Sequence, residues 1–97
     1  MTPGLIQALN HRTRRQILRR LAGRGACLSP AEVSRDTGKH LSGVSYHFRV
    51  LAKHGAVEEV DSEPARGSLE HFFVSLVARN TQVKAILAAT KAADEQG

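Results

Sequence analysis

A segment in the middle of the chain carries polar side chains at a spacing suited to contacting a polyanion. If residues 42–54 form a helix, they divide into two faces at 100° per residue. The apolar face consists of Val44, Phe48 and Leu51. The opposite face consists of Ser42, Tyr46, Arg49 and Lys53. Because this face has two cations, two hydroxyl groups and no acid, it suits phosphates and base edges in a DNA major groove. The alternative is a solvated face without a partner.

Positive charge is concentrated in the first half of the chain. Residues 1–54 contain ten Lys or Arg residues and two acids, a net charge of +8, whereas residues 55–97 have a net charge of −3. A basic half of this kind is the electrostatic footprint expected for a nucleic-acid partner. The alternative is a solubilising surface on a basic protein. A membrane partner is disfavoured, because the apolar residues recur at core spacing.

The length of the chain, 97 residues, is enough for one domain with one core, which we place at residues 1–97. The apolar runs are short, and the first residues lack the order of a secretory signal. The single cysteine, Cys27, excludes an internal disulfide and fits a reducing compartment. We therefore expect a cytoplasmic protein. As a lone thiol, Cys27 is expected to be a small buried residue rather than a redox sensor.

Helical spacing and stop signals predict three short helices before residue 40. The first begins at Thr2-Pro3, and the second spans about residues 12–22. The third starts at a capping box, S-P-A-E at residues 29–32, and ends at Gly38.

The third helix and the segment at residues 42–54 are joined by a tight turn containing Gly38, which is typical of a helix-turn-helix at about residues 30–54. In its second helix, Ser42 is predicted to be the N-cap, and Leu41 is predicted to pack against Tyr46.

The pattern changes from helix to strand after Gly55. A strand is predicted at residues 56–60, a turn at residues 61–67 and a second strand at residues 68–77. These segments predict a β-hairpin over about residues 56–77.

A last helix is predicted at about residues 81–93, capped by Asn80 or Thr81, and a polar tail at residues 92–97 is expected to fray. The element order predicts a mostly α-helical fold with a small β-hairpin, the winged helix-turn-helix, in which the hairpin is the wing.

Several segments resemble the arsenic-repressor-like (ArsR-type) bacterial transcriptional regulators. These segments are ALNHRTRRQILRRLA, LSPAEVSRDTG, LSGVSYHFRVLAKHGAVEEV and RGSLEHFFVSL, and they cover about residues 5–77. The most specific one is VSYHFRVLAKHGAV, which is similar to the family's V-S-x-H-L-x-x-L-x-x-x-G-L-V pattern. The resemblance implies a homodimeric regulator, most often a repressor, whose two recognition helices enter successive major grooves of a pseudo-palindromic operator.

The residues that usually hold a metal in this family are missing. Ser29 and Ala31 stand where metal-sensing members have a C-x-C pair, and residues 81–93 contain neither His nor Cys. A metal site at His40, His47 and His54 is disfavoured, because residues seven apart on a helix are separated by roughly 10.5 Å. We therefore predict no metal site and no cofactor, and the sequence does not identify an effector.

The residues predicted to contact double-stranded DNA lie on three elements. Base-edge contacts are assigned to Ser42, Ser45, Tyr46 and Arg49. Phosphate contacts are assigned to Lys39 and Lys53, and a wing contact to Arg66. The resemblance implies that the first and last helices form the dimer interface, through Leu5, Ile6, Leu9, Val83, Ile86 and Leu87. The alternative is that these six residues complete the core of one chain.

Two other classes of function are an enzyme and a protein-contact module. An enzyme is disfavoured, since the chain has no glycine-rich phosphate loop, paired carboxylates or nucleophile motif. The stronger rival is a winged helix used for protein contacts or dimerisation, without specific DNA binding.

Overall fold

The computed structural model describes residues 3–96, which form five helices and a β-hairpin. In chain order the elements are α1 (Pro3–Ala8), α2 (Arg12–Arg20), α3 (Pro30–Thr37), α4 (Leu41–Lys53), β1 (Val57–Ala65), β2 (Ser68–Ser75) and α5 (Thr81–Glu95). This order confirms the predicted fold class. Thr2, the predicted cap of the first helix, lies outside the described residues.

The helix α3 begins and ends as its sequence predicts. Ser29 Oγ accepts a hydrogen bond from the Glu32 amide at 3.1 Å, and the Glu32 carboxylate accepts one from the Ser29 amide at 2.9 Å. This reciprocal pair satisfies two amides that the helix leaves unpaired. At the other end, Gly38 adopts a left-handed conformation with φ 73° and donates to the Ser34 carbonyl. A residue with a side chain is strained in that conformation.

The start of α4 differs from the prediction. The helix begins at Leu41, preceded by His40, whose side chain makes no capping hydrogen bond. Ser42 is therefore inside the first turn, and its prediction as the cap is wrong. Leu41, with 49% of its surface exposed, is the first helical residue rather than a staple ahead of the cap. The consequence is that the side chain of Ser42 is exposed and caps no helix among the residues that the structure describes.

The first strand of the hairpin is longer and the turn is tighter than predicted. The strand β1 continues to Ala65, and only Arg66 and Gly67 form the turn, with φ values of 47° and 85°. The predicted turn at residues 61–67 was wrong because Pro64 suggested a break. Proline is tolerated here, since β1 has an unpaired edge in a two-stranded sheet.

One core joins the helices to the base of the wing. Its largest fully buried side chains include Phe48, Leu9, Ile17, Leu18 and Leu51. The wing is attached through Phe73 of β2, whose backbone exchanges two hydrogen bonds with Leu28, at 2.9 and 3.1 Å. The Phe73 ring also packs on Phe48, with 4.9 Å between centroids. The wing is therefore fixed relative to α4.

The last helix, α5, is longer than predicted. Asn80 caps it through a hydrogen bond from the Val83 amide at 3.0 Å, as expected. The prediction of a frayed tail is wrong for the residues up to Glu95, because α5 continues through them and Asp94 is only 5% exposed. Cys27, expected to be buried, is exposed. Within residues 3–96, no helix is both long enough and apolar enough to cross a membrane.

Candidate nucleic-acid interface

The helix α4 has one buried face and one face free for a partner. Val44, Phe48 and Leu51 are each at most 1% exposed. The side chains of Ser42, Tyr46, Arg49 and Lys53 are exposed, and that of Ser45 is half-buried. None of these five side chains forms a hydrogen bond or ion pair within residues 3–96. The two faces agree with the predicted division, and the outer face has donors with unused hydrogen-bonding capacity.

A pair of histidine rings packs between α4 and the start of α2. The rings of His47 and His11 lie 4.2 Å apart. Nδ1 of His11 accepts a hydrogen bond from the Thr13 amide at 3.2 Å, which caps α2. Burial, followed by the positive charges of His11, Arg14 and Lys39, lowers the pKa of His47 from 6.5 to about 4. His47 therefore positions α4 as a neutral residue at neutral pH.

The lowered pKa of His47 predicts a loss of stability in mild acid. Between pH 6.5 and 4, the unfolded chain binds a proton at His47 that the folded chain does not bind. The free energy of unfolding should therefore fall as the pH is lowered, by about 2 kcal/mol between pH 7 and pH 4.5. Denaturant titrations at the two pH values would measure the change.

A histidine variant isolates this effect. His47→Gln should remove the part of the pH dependence that His47 supplies and leave the part from His11, whose pKa is also lowered by burial. His40→Gln, at an exposed histidine in the turn before α4, should retain both parts. An equal pH dependence in the two variants would exclude His47 as its source.

The turn that leads into α4 is held by side chains of α3. The Lys39 carbonyl accepts a hydrogen bond from the Ser34 hydroxyl at 2.6 Å, and its amide donates to the Thr37 hydroxyl at 3.3 Å. The side chain of Lys39 is exposed. Its ammonium group therefore extends from a fixed backbone next to the first turn of α4.

The wing has a positive tip and an acidic strand. Arg66 is exposed in the two-residue turn, as predicted. Four exposed acids lie along β1: Glu58, Glu59, Asp61 and Glu63. One of them, Glu59, is paired with His71 at 3.0 Å. Because the acids lie on the strand and Arg66 lies at its end, only the tip is suited to a phosphate contact.

A groove between α4 and the wing is lined by a further cation, Arg35, which was not predicted as a binding residue. The groove has a volume of about 450 Å³, and Arg35, Ser45 and Arg66 are among its lining residues. Arg35 is exposed on α3 and forms no ion pair within residues 3–96. The sequence offered only a weak signal, because a lone basic residue on a short helix is usually a solvated one.

Three arginines counted in the basic half of the chain are engaged inside the protein. The Asp94 carboxylate accepts hydrogen bonds from Arg15 at 2.8 Å and from Arg19 at 2.7 Å. Nε of Arg12 donates to the Asp94 carbonyl at 3.1 Å. The guanidinium groups of Arg15 and Arg19 keep the pKa of Asp94 well below its usual range, against the effect of burial. These three cations bind α5 to α2, so the surface available to a polyanion is narrower than the charge count suggested.

The six residues predicted at a dimer interface fall into two groups. Leu5, Leu9 and Val83 are at most 6% exposed and belong to the core of one chain. Ile6 is 40% exposed, whereas Ile86 and Leu87 are half-buried against the core. Leu5, Leu9 and Val83 therefore have almost no exposed area for contact with a second chain. Of the six predicted residues, only Ile6, Ile86 and Leu87 could form such a contact.

Metal-binding side chains do not converge in the part of the chain that the structure describes. No three His, Cys, Asp or Glu residues among residues 3–96 lie close enough to hold a metal ion. His47 is packed against His11, and His54 lies at the end of α4, where it contacts Gly4. A β-carbon added to Gly4 would approach Nδ1 of His54 to 2.5 Å.

The helix-turn-helix and the wing define the class of protein, and comparisons with known proteins agree. A family model described as a helix-turn-helix domain matches residues 9–60. The chain belongs to this family.

Solved structures extend the likeness to the wing. One is the crystal structure of an ArsR family transcriptional regulator, with a TM-score of 0.61, 24% identity, and coverage of 97% of this chain and 90% of that one. Another is a protein with a GntR superfamily winged-helix-turn-helix domain from Halomicrobium mukohataei, with a TM-score of 0.57, 21% identity, and coverage of 100% and 79%. Both confirm the winged-helix fold. The search of curated proteins gave no match.

Proposed function

We propose that this chain is a bacterial transcriptional regulator that binds double-stranded DNA sequence-specifically through the outer face of α4. The observation that carries the proposal is the division of α4 into a buried apolar face and an exposed face of unpaired donors. Such a helix can enter a major groove while the core holds its orientation. A binding role of this kind needs no catalytic group.

Each cationic or hydroxyl group has a distinct part in the proposed complex. Arg49 can donate two hydrogen bonds to a guanine edge. Neighbouring bases can be contacted by Ser42, Ser45 and Tyr46. Lys39 and Lys53, near opposite ends of α4, would contact backbone phosphates. Arg66 at the wing tip would contact phosphate or a narrow minor groove. The acids along β1 would restrict the wing contact to that tip.

The proposed active form is a homodimer on a pseudo-palindromic operator. The full chain is a single domain in this proposal, and Ile6, Ile86 and Leu87 are the residues that retain area for a second copy. Two recognition helices roughly 34–36 Å apart would match successive major grooves. Blocking a promoter by occupancy would make the protein a repressor.

Sedimentation tests the dimer directly. At micromolar concentration we expect a species of twice the 10.5 kDa mass of one chain. A species of single-chain mass under those conditions would refute the dimer but leave DNA binding by α4 to be tested separately.

The test of sequence-specific binding is the substitution Arg49→Ala. Duplexes would first be selected from a random pool with the unmodified chain. On the selected duplex the variant should lose about 1–3 kcal/mol of binding free energy, with much less loss on random DNA. An exposed arginine away from α4, Arg79, supplies the matched control Arg79→Ala, which should bind both DNAs as the unmodified chain does. Equal losses on both DNAs in the Arg49 variant would rule out base reading by Arg49.

The rival function is a winged helix used for protein contacts. It predicts that neither selected nor random duplexes bind, even at low salt. The unpaired cations of α4 and its preceding turn favour the DNA-binding proposal over this rival.

A further inference from the structure

A basic cleft lies where α2, the turn after α3 and the end of α5 meet. Its volume is about 590 Å³, which is within the range of small-ligand sites, roughly 300–1,000 Å³. Its charged lining residues are five cations, Arg12, Arg19, Arg20, Lys39 and Lys91, and two acids, Asp94 and Glu95. No large apolar side chain lines it among the described residues. The lining therefore suits a charged, hydrophilic ligand rather than an apolar one.

The cations of this cleft are only partly neutralised. Arg19 is paired with Asp94, whose carboxylate is fully used by two arginines. Within residues 3–96, Arg20 has one ion-pair partner, the exposed Asp36, at 3.5 Å. Lys39 and Lys91 are exposed and form no ion pair within residues 3–96. Three cationic groups from separate elements thus face one recess, and the only lining acid without an ion pair within residues 3–96 is Glu95, so the recess keeps a net positive charge.

We propose that this cleft binds a small multivalent anion of the phosphate class, held mainly by Arg20 of α2 and Lys91 of α5. A guanidinium group can donate two parallel hydrogen bonds to phosphate oxygens, and an ammonium group adds a compact charge. The amide of Gln16, which also lines the cleft, adds a neutral donor. A phosphate or pyrophosphate group, free or as an ester of a small molecule, satisfies these donors together.

Occupancy of the cleft would affect α4 through Lys39. This residue lines the cleft and precedes the first turn of α4 by two positions. An anion in the cleft would attract the Lys39 ammonium group away from a DNA phosphate and lower the affinity for DNA. This consequence rests on the proposed function, whereas binding of the anion does not.

The experiment is a calorimetric titration of the full chain with sodium pyrophosphate at low salt. We expect saturable binding of one pyrophosphate per chain. The double variant Arg20→Gln/Lys91→Gln should weaken it by about tenfold or more, because two charge-assisted contacts are lost. The matched control is Arg24→Gln/Lys84→Gln, which removes the same two charges at exposed positions outside the cleft. Thermal unfolding of both variants would verify that they fold.

The outcomes distinguish anion binding in the cleft from nonspecific attraction by surface charge and from contact with the DNA backbone. Equal weakening in both double variants, or the absence of saturable binding, would overturn the proposal. If the cleft instead contacts only the DNA backbone, pyrophosphate will not bind saturably, while the Arg20/Lys91 variant will lose duplex affinity and about two units of salt slope per bound chain. Specific pyrophosphate binding by a chain that binds no DNA would support the cleft and refute the proposed function alone.

Discussion

The substitution Asp94→Asn is expected to lower the midpoint of thermal unfolding by roughly 10 °C, since it leaves two partly buried cations without their counter-charge. Asparagine keeps the size of the side chain, removes its charge and replaces one of the two oxygens that accept from the arginines by an amide donor. Arg15 and Arg19 are 16% and 20% exposed and share the Asp94 carboxylate at 2.7–2.8 Å. Because Arg19 also donates to the Leu87 carbonyl and the Thr90 hydroxyl, loss of the carboxylate should loosen the last turns of α5.

The neighbouring residue gives a matched control for Asp94. Glu95→Gln removes the same charge from an exposed side chain that has no ion pair within residues 3–96. It should change the midpoint by no more than about 2 °C, as surface substitutions usually do. Hydrogen exchange should also show earlier opening at the end of α5 in the Asp94 variant only. Similar melting of the two variants would mean that the cluster does not anchor α5.

The stabilisation from Asp94 also has a defined pH window. Its pKa is lowered from 3.8 in the folded chain. Its contribution is therefore fully present above that value and is lost as the pH falls below it. The His47 effect appears between pH 6.5 and 4, so the two contributions are separable in one pH series.

The second large effect is expected for Phe48→Ala, which should reduce the free energy of unfolding by about 3–5 kcal/mol. Phe48 is 1% exposed and packs against Phe73, so its removal leaves a cavity between α4 and the wing. A loss of that size is a large fraction of the total stability of a small domain, about 5–15 kcal/mol. Chemical denaturation of the purified variant would measure the loss.

An aromatic residue on the other face of the same helix provides the control. Tyr46 is 53% exposed, so Tyr46→Ala should change the free energy of unfolding by no more than about 0.5 kcal/mol. If the proposed function holds, the same variant should weaken binding to the selected duplex. Comparable destabilisation by the two substitutions would contradict the assignment of α4's faces.

The sequence was informative where the controlling interactions are local. The capping box at Ser29 and Glu32 spans three residues, and the two faces of α4 follow from the helical period alone. The position of Arg66 at the wing tip also followed from the adjacent Gly67. These features could be predicted because each depends on residues within about two helical turns.

The features that the sequence did not predict depend on distant contacts. Asp94 meets Arg15 and Arg19 across 79 and 75 residues, so nothing near Asp94 in the sequence distinguishes it from a polar tail. The basic half of the chain also has fewer cations free for a partner than its charge indicated, because the contacts of its arginines with Asp94 are distant in the sequence. Pro64 was interpreted as a turn residue. A strand accepts proline only at an edge that is not paired, and the sequence near Pro64 does not show which edge of β1 pairs with β2.

The most direct test of the central claim is the affinity of the unmodified chain for a selected duplex, measured over a series of salt concentrations. Each phosphate contact releases counterions, so the logarithm of the affinity should fall linearly with the logarithm of the salt concentration. With phosphate contacts from Lys39, Lys53 and Arg66 contributed by each copy of a dimer, we expect a slope of roughly −4 to −6. A flat response, or no binding of duplex DNA at low salt, would contradict DNA binding by α4 and favour a protein-contact module.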